Sequence, residues 1–283
     1  MAETLPDLTA DAELVARAAL AEDGARDLTT DVTVSRTALG SAAVELRETG
    51  VVAGLRYAET LARLTGCAVR WDVSDGDEVA PRRLGTLEGT LTGLFRAERP
   101  FLNLLQRAGG IATATRTCVH AVAGTHCRVL HTRKTAPGLR LFDAAAVVAG
   151  GGGLHRLSLA ATVLVKDNHW AALRESGGTL RDALARARRE GALECQVEVE
   201  SEAQVEEACS AGADRLLIDN RPTDVVRAWA ERARALRPGI RIEASGGITL
   251  ANIRAYADAG VDFVSLGAIT HSTRALDVAL TLA

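Results

Sequence analysis

Between residues 128 and 268 the chain repeats one pattern: a short β-prone apolar run that ends in, or carries, small or polar residues, followed in several cases by a helical stretch. The runs are Val129-Leu130 into Thr132-Arg133-Lys134, Val163-Leu164-Val165 into Lys166-Asp167-Asn168, and Val197 to Val199 around Glu198. They continue with Leu216-Leu217-Ile218 into Asp219-Asn220, Ile242 into Ser245-Gly246-Gly247, and Phe263-Val264-Ser265-Leu266 into Gly267-Ala268. Apolar residues at helical spacing predict helices over 180–190, 202–211, 224–236 and 251–259. Strand and helix in alternation predict parallel strands with crossover helices, and the spacing suits a (β/α) barrel short of eight strands. In such a barrel the carboxyl ends of the strands line one rim, so all six polar tips are expected to converge there.

The N-terminal part has a different rhythm. Leu14, Ala18 and Ala21 predict a first helix behind an Asp11 cap, with Asp27-Leu28-Thr29-Thr30-Asp31 breaking the pattern. Strands are expected at Ala43 to Leu46, Val69 to Val73 and Leu91 to Phe95, with a turn at Glu48-Thr49-Gly50 and a helix over 56–65. The segment from Ser74 to Gly89 has the turn-rich look of a lipoyl-type hairpin, but it contains no lysine to carry that cofactor. From Pro100 to about Val122 an apolar-periodic stretch reads as a linking helical region. The fold expected is α/β: an N-terminal α/β layer over residues 1–112 and a C-terminal incomplete barrel over 113–283, with the last residues free to return to the first domain.

Composition narrows the chemistry. The 283 residues are 47% hydrophobic and 24% charged, as in an ordinary globular protein, and aromatic residues make up only 3%. A net charge of -3 gives no overall basic field for nucleic acid or an anionic membrane, so any anion must be held by a local cluster. No apolar run is long enough for a membrane span, and the opening Met1 to Asp7 lacks the pattern of a signal peptide, so a cytoplasmic protein is expected. Five cysteines without a C-x-x-C pair argue against a disulfide framework or a thiolate zinc site and for buried thiols. Of the 33 basic residues only two, Lys134 and Lys166, are lysines, and both lie at the ends of β-prone runs. A chain that otherwise uses arginine has retained these two for a compact ammonium or by chance.

Pooled, the tips offer Arg133, Lys134 and Lys166 as cations, with His155 and Arg156 added by the loop after Gly150-Gly151-Gly152-Gly153. Glu198 and Asp219 are the anions, and Gly246-Gly247, ahead of a helix expected near Leu250, with Gly267-Ala268 offers backbone N–H groups to a phosphate. Alternation puts Gln196, Glu198 and Glu200 on one face, and Glu198 is the better functional candidate of the two acids. The cations imply a multiply anionic substrate, and the carboxylates imply a divalent metal or a cationic transition state. Lys166 reads either as a Schiff-base nucleophile or as a charge clamp; surrounding anions favour the clamp.

These residues resemble the quinolinate phosphoribosyltransferases nearly end to end and in order. The motifs are Glu22-Asp23 with Asp27-Leu28-Thr29-Thr30, Glu98-Arg99 with Leu102-Asn103-Leu104-Leu105-Gln106, Gly110-Ile111-Ala112-Thr113, and Thr132-Arg133-Lys134-Thr135-Ala136-Pro137-Gly138-Leu139-Arg140. They continue through Gly151-Gly152-Gly153 with His155-Arg156, Lys166-Asp167-Asn168-His169, Val197-Glu198-Val199-Glu200, Asp219-Asn220, Glu243-Ala244-Ser245-Gly246-Gly247-Ile248, and Gly260-Val261-Asp262 with Ser265-Leu266-Gly267-Ala268.

The resemblance implies an N-terminal open α/β sandwich, an incomplete barrel, and a homodimer, or a larger assembly of dimers, in which one subunit's N-terminal domain caps the other's barrel. It implies transfer from 5-phosphoribosyl 1-pyrophosphate to quinolinate, with magnesium, giving nicotinate mononucleotide, pyrophosphate and carbon dioxide in NAD biosynthesis. By the same resemblance Arg99 reaches the partner's site, while Thr132, Arg133, Lys134, His155, Arg156 and Lys166 hold the pyridine carboxylates and pyrophosphate. Lys134, Lys166, Glu198 and Asp219 are the catalytic set, Glu198 and Asp219 serve the ribose and Mg2+, directly or indirectly, and Ser245, Gly246, Gly247, Leu266, Gly267 and Ala268 surround the 5-phosphate. The chain departs from the family's usual aspartate at His131, from its Lys-Tyr-Ala-Val at Ala144-Ala145-Ala146-Val147, and from a small or polar residue at Leu154. The departures leave the anion-binding side chains in place and the identity of the pyridine acid open. A transferase of a specialised or molybdenum-transport-associated pathway, a Schiff-base aldolase and a silent binding barrel stand as alternatives.

Overall fold

The computed structural model describes residues 4–283; Met1 to Glu3 of the opening segment lie outside the described residues. The chain divides into two compact units. The first comprises Met1–Arg116, Lys134–Leu154 and Ala268–Ala283, and the second Thr117–Arg133 and His155–Gly267.

In the first unit an antiparallel sheet runs in the order Val278–Leu282, Leu39–Leu46, Arg82–Thr90 and Ala68–Trp71. Val44, Leu46, Leu84 and Leu87 are buried in it. The last strand of the chain is thus hydrogen-bonded to the first, with Leu46 opposite Val278. Helices Thr9–Glu22 and Leu55–Leu64 are joined by the Tyr57 hydroxyl, which donates to Asp11 Oδ2 at 2.7 Å. Asp11 is therefore no cap: the helix starts at Thr9, whose N–H is held by Asp7 Oδ1 at 3.1 Å. Asp27, in the segment expected to break the helical pattern, is itself an N-cap; it accepts from Thr30 N at 3.0 Å and opens a short helix, Leu28–Thr33.

Three further N-terminal readings are corrected. Leu91 to Phe95 is not a strand but the first turn of a 31-residue helix, Leu91–Ala121, with Pro100 in its interior. Thr90 Oγ1 accepts from Gly93 N at 3.1 Å, the geometry of a Ser/Thr cap, and Gly93 lies so close to the Thr65 carbonyl that a Cβ would come within 2.6 Å of it. The segment from Ser74 to Gly89 is no self-paired hairpin, because Glu78–Val79 pairs with Gly50–Val51 while Arg82–Thr90 joins the large sheet. Gly50 accordingly belongs to a strand rather than to the turn after Leu46.

The second unit contains six parallel strands in the order Arg128–Leu130, Phe263–Ser265, Arg241–Ser245, Arg215–Asp219, Glu194–Val199 and Thr162–Val165. The first and last do not pair with each other, so the sheet is an open, incomplete barrel. Val197, Leu216, Ile218, Ile242, Ala244 and Val264 are fully buried, as expected of parallel strands covered by helices. Crossover helices Leu180–Arg189, Glu202–Ala211 and Thr223–Leu236 lie where apolar spacing places them. Thr179 and Ser201 cap the first two through Asp182 N and Gln204 N. The helix after Gly246-Gly247 begins at Ile253, later than expected and only 6 residues long, because Asn252 folds the preceding turn: its side chain accepts from Thr249 N and donates to the Gly247 carbonyl. All five cysteines are free and buried.

Candidate active site

Two neighbouring strand tips make the first part of the site. Parallel pairing sets Val165 opposite Val197, so Lys166 and Glu198, one residue on, stand side by side. Lys166 Nζ donates to Glu198 Oε2 in a short charge-assisted hydrogen bond. The Glu198 side chain is 7% exposed and that of Lys166 44%, so the carboxylate is the sunken partner. Burial pushes the Glu198 carboxyl above its ordinary value; the ammonium pulls it back, and the charges of Asp219 and Asp167 raise it again. The tip is braced twice more, by Trp170 Nε1 donating to the Glu198 carbonyl at 2.8 Å and by Lys166 N donating to His169 Nδ1 at 3.0 Å. Glu200 lies beyond the strand end, exposed, with its N–H capped by Gln204 Oε1 at 2.7 Å.

Arg133 and Arg156 form the second part. The Arg133 charge and burial together lower the affinity of the Arg156 guanidinium for its proton, burial being the larger cause. Among the described residues neither guanidinium reaches a carboxylate, Arg156 meeting only the Thr162 carbonyl at 3.4 Å, and Arg133 Nε is buried without a partner. Two neighbouring cations without a carboxylate partner are chemically able to hold an external anion. Thr132 and His155 flank them in sequence. Both ring nitrogens of His155 turn inward, Nδ1 accepting from Arg156 N at 2.8 Å and Nε2 lying 3.4 Å from Glu243 Oε1.

The third part is a tight backbone knot. Asp219, half-buried, is hydrogen-bonded by the side chain of Asn220, whose φ of 52° is the sole positive value outside glycine among the described residues. Asn220 N donates to the Ser245 carbonyl at 2.9 Å, and Gly246 and Gly247 follow with φ of 81° and 60°. Consecutive glycines in the left-handed region make a tight turn at this strand tip, whose backbone an anion can approach closely. On the next strand Leu266 N is committed to the Leu130 carbonyl, leaving Gly267 half-exposed after it.

The expected residues of the second unit thus fall into these three clusters, with Asp219 close enough to act on the charge of Glu198. Arg99, Lys134 and Ala268 belong to the first unit, where each is exposed; the Lys134 carbonyl accepts from Thr270 Oγ1 at 2.8 Å. Sequence reasoning gave no role to Arg215 or Asn220 and saw Glu243 only as part of a motif. The signal was present: buried parallel strands begin Glu194-Cys195-Gln196 and Arg241-Ile242-Glu243, with polar or charged residues spaced two apart, hence on one face.

Fold and clusters together define an open α/β-barrel protein with cationic side chains at its rim. The chain belongs to the quinolinate phosphoribosyl transferase family: residues 27–109 match the model of that family's N-terminal domain and residues 111–281 that of its C-terminal domain. It is 40% identical over 263 residues to the nicotinate-nucleotide pyrophosphorylase [carboxylating] of Mycobacterium leprae, covering 90% of this chain and 91% of that protein. To the protein of the same name from Rattus norvegicus it is 34% identical over 254 residues, covering 88% and 84%. Among solved structures, the nicotinate-nucleotide pyrophosphorylase from Francisella tularensis superposes with a TM-score of 0.90 at 29% identity over 100% of both chains. NadC from Streptococcus pyogenes does so with a TM-score of 0.89 at 31% identity over 99% of both.

Proposed function

We propose that the chain transfers the phosphoribosyl group of 5-phosphoribosyl 1-pyrophosphate to quinolinate, releasing pyrophosphate and carbon dioxide and forming nicotinate mononucleotide for NAD biosynthesis. The relatives' name writes the same reaction in the carboxylating direction. The observation that carries the reading is the uncompensated guanidinium pair Arg133 and Arg156. Two adjacent cations match a ring with two adjacent carboxylates better than one with a single carboxylate.

On this reading the carboxylates of quinolinate meet Arg133 and Arg156, and the Gly246-Gly247 turn receives the 5-phosphate. The ring nitrogen forms its bond to the ribose carbon as the bond to pyrophosphate breaks. Glu198 and Asp219 stabilise the oxocarbenium character that builds on the sugar, while Lys166 and Lys134 meet anionic oxygens. The ring nitrogen is then cationic, so the adjacent carboxylate leaves as carbon dioxide and its electron pair stays on the carbon beside the positive nitrogen, which takes up a proton. Holding the ring in place and excluding water is the protein's share of that step.

Magnesium fits the residues present. Mg2+ is ordinarily bound by one or two carboxylates together with water and substrate phosphates, and Glu198 and Asp219 are such a pair. When bound, Mg2+ neutralises charge on the leaving group.

Lys166 acts as a clamp: a Schiff base needs a free amine, whereas Lys166 is engaged with Glu198. Among the described residues no helix is long and apolar enough to cross a membrane. The exposed Arg99 acts across a homodimer, and the enzyme works in the cytoplasm on small-molecule substrates, with no nucleic acid as partner. Incubating purified protein with 5-phosphoribosyl 1-pyrophosphate, Mg2+ and either quinolinate, nicotinate or another pyridine acid tests the reading. Carbon dioxide release with quinolinate is expected; turnover of nicotinate without it overturns the assignment.

A further inference from the structure

A file of ionisable side chains runs inside the barrel beneath the rim, and the transfer chemistry uses none of its deeper members. At the amino ends of the strands Glu194 pairs with Arg215 at 2.9 Å and with Arg241 at 2.8 Å. Arg215 spans to Glu243, Nη1 to Oε2, at 3.0 Å. Glu243 is fully buried and its other oxygen faces His155 Nε2 at 3.4 Å. His155 N in turn donates to Nε2 of His131 at 3.2 Å, and His131 Nδ1 lies 2.9 Å from the Thr132 carbonyl. His131 has no exposed surface and His155 only 6%.

The partners fix both tautomers. An N–H points at His131 Nε2 and a carbonyl stands at Nδ1, so the His131 proton is on Nδ1. The Arg156 N–H points at His155 Nδ1, so the His155 proton is on Nε2, aimed at Glu243. The His131 imidazole thereby ties Thr132 to His155, and the His155 imidazole ties Arg156 to Glu243. Glu243, bonded to Arg215, anchors these contacts to the ion pairs at the amino ends of the strands. The guanidiniums of Arg133 and Arg156 repel each other, and a pair of like charges stays in place only where its backbone is held.

We propose that His131 and Glu243 are positioning residues for the acceptor acid: through His155 they hold the backbones that carry Arg133 and Arg156, and so set the pocket for the two carboxylates. This rests on the acceptor reading of those arginines given above. Neither residue touches substrate, so its loss shows in the affinity for the acid rather than for the sugar.

The test is steady-state kinetics with both substrates varied, on wild type, His131→Leu, His131→Gln and Glu243→Gln, each checked by thermal unfolding. His131→Leu removes both bonds, and a rise of about tenfold or more in the KM for quinolinate is expected, with the KM for 5-phosphoribosyl 1-pyrophosphate within about twofold. His131→Gln, able to accept from His155 N and to donate to the Thr132 carbonyl, restores most of the loss. A merely structural role lowers the active fraction and moves neither KM. Glu243→Gln is expected to resemble His131→Leu; if it fails to fold, the His131 pair decides. Turnover in wild type with an unchanged acid KM in folded His131→Leu overturns this inference alone. Absence of turnover with quinolinate in wild type overturns the transfer reading, and this inference with it.

Discussion

Asn220 and Gly246 share one corner of the barrel rim: Asn220 N donates to the Ser245 carbonyl at 2.9 Å, and the Asn220 side chain fills the space a Cβ on Gly246 would need. Both residues are left-handed, at φ of 52° and 81°. Gly246→Ala therefore meets two obstacles, a backbone conformation that costs about 1–2 kcal/mol and a direct collision with the asparagine. Relief requires the turn to open. The expected outcome is a lower Tm together with a raised KM for 5-phosphoribosyl 1-pyrophosphate and a quinolinate KM close to that of wild type. A Gly246→Ala protein with an unmoved sugar-phosphate KM removes this turn from the phosphate site.

Lys166→Ala separates catalysis from folding. The Lys166 side chain is 44% exposed, so the variant is expected to fold, while turnover falls by about a hundredfold or more. Its stability carries a further sign. Burial already raises the Glu198 carboxyl, and without the ammonium it rises more. An acid whose folded value lies above its unfolded one stabilises the protein at low pH and loses that contribution as pH increases. The Tm gap between wild type and Lys166→Ala accordingly widens from about pH 5 to about pH 8. A constant gap means the pair carries no such coupling.

The two acids of the Val197-Glu198-Val199-Glu200 tip are expected to part company. Glu198→Gln removes the partner of Lys166 and lowers kcat by about a hundredfold or more. Glu200→Gln changes an exposed side chain beyond the strand, whose N–H remains capped by Gln204, and leaves kcat within about twofold. Side-by-side rates at saturating substrates decide which carboxylate is used; equal losses contradict the geometry.

Much of the barrel was legible because several of its strands are apolar runs closed by polar tips, as buried parallel strands commonly are. The alternation in Gln196-Val197-Glu198 already put Glu198 on the side that meets Lys166. Leu91 to Phe95 misled because Thr92 and Phe95 favour strands and Gly93 disfavours a helix interior, while the deciding Thr90 cap and the close approach of Gly93 to Thr65 involve contacts outside that segment. Pro100 suggested a helix start, since proline suits a first turn, yet it lies well inside the helix that begins at Leu91. The deeper file from Glu194 to His131 was invisible as a unit: each member looks like an ordinary strand or loop residue, and only strand register brings the charges together.

The cysteines report on burial independently of the active site. Cys127 has its thiol pushed up to about 12, first by burial and then by the nearby Asp262 charge. Cys67, Cys118, Cys195 and Cys209 are also shifted upward, again chiefly by burial. At about pH 8 none holds an appreciable thiolate fraction, and all five are buried, so a thiol reagent should label almost none until denaturant is added. Rapid labelling of a cysteine in the native enzyme would show that its surroundings open.

Arg99 provides the test of a shared site. It is exposed in the first compact unit, whereas Lys166 belongs to the second, and each substitution to alanine is expected to abolish turnover. If Arg99 serves the partner's barrel, a mixed dimer of Arg99→Ala and Lys166→Ala chains has one site carrying both lesions and one carrying neither. Random reassociation of equal amounts makes about half of the dimers mixed, so the mixture should recover roughly a quarter of wild-type activity. If Arg99 serves its own chain, each site in a mixed dimer carries one lesion and nothing is recovered. Unfolding and refolding the two variants together, with separately refolded proteins combined afterwards as control, distinguishes these outcomes by a single rate measurement.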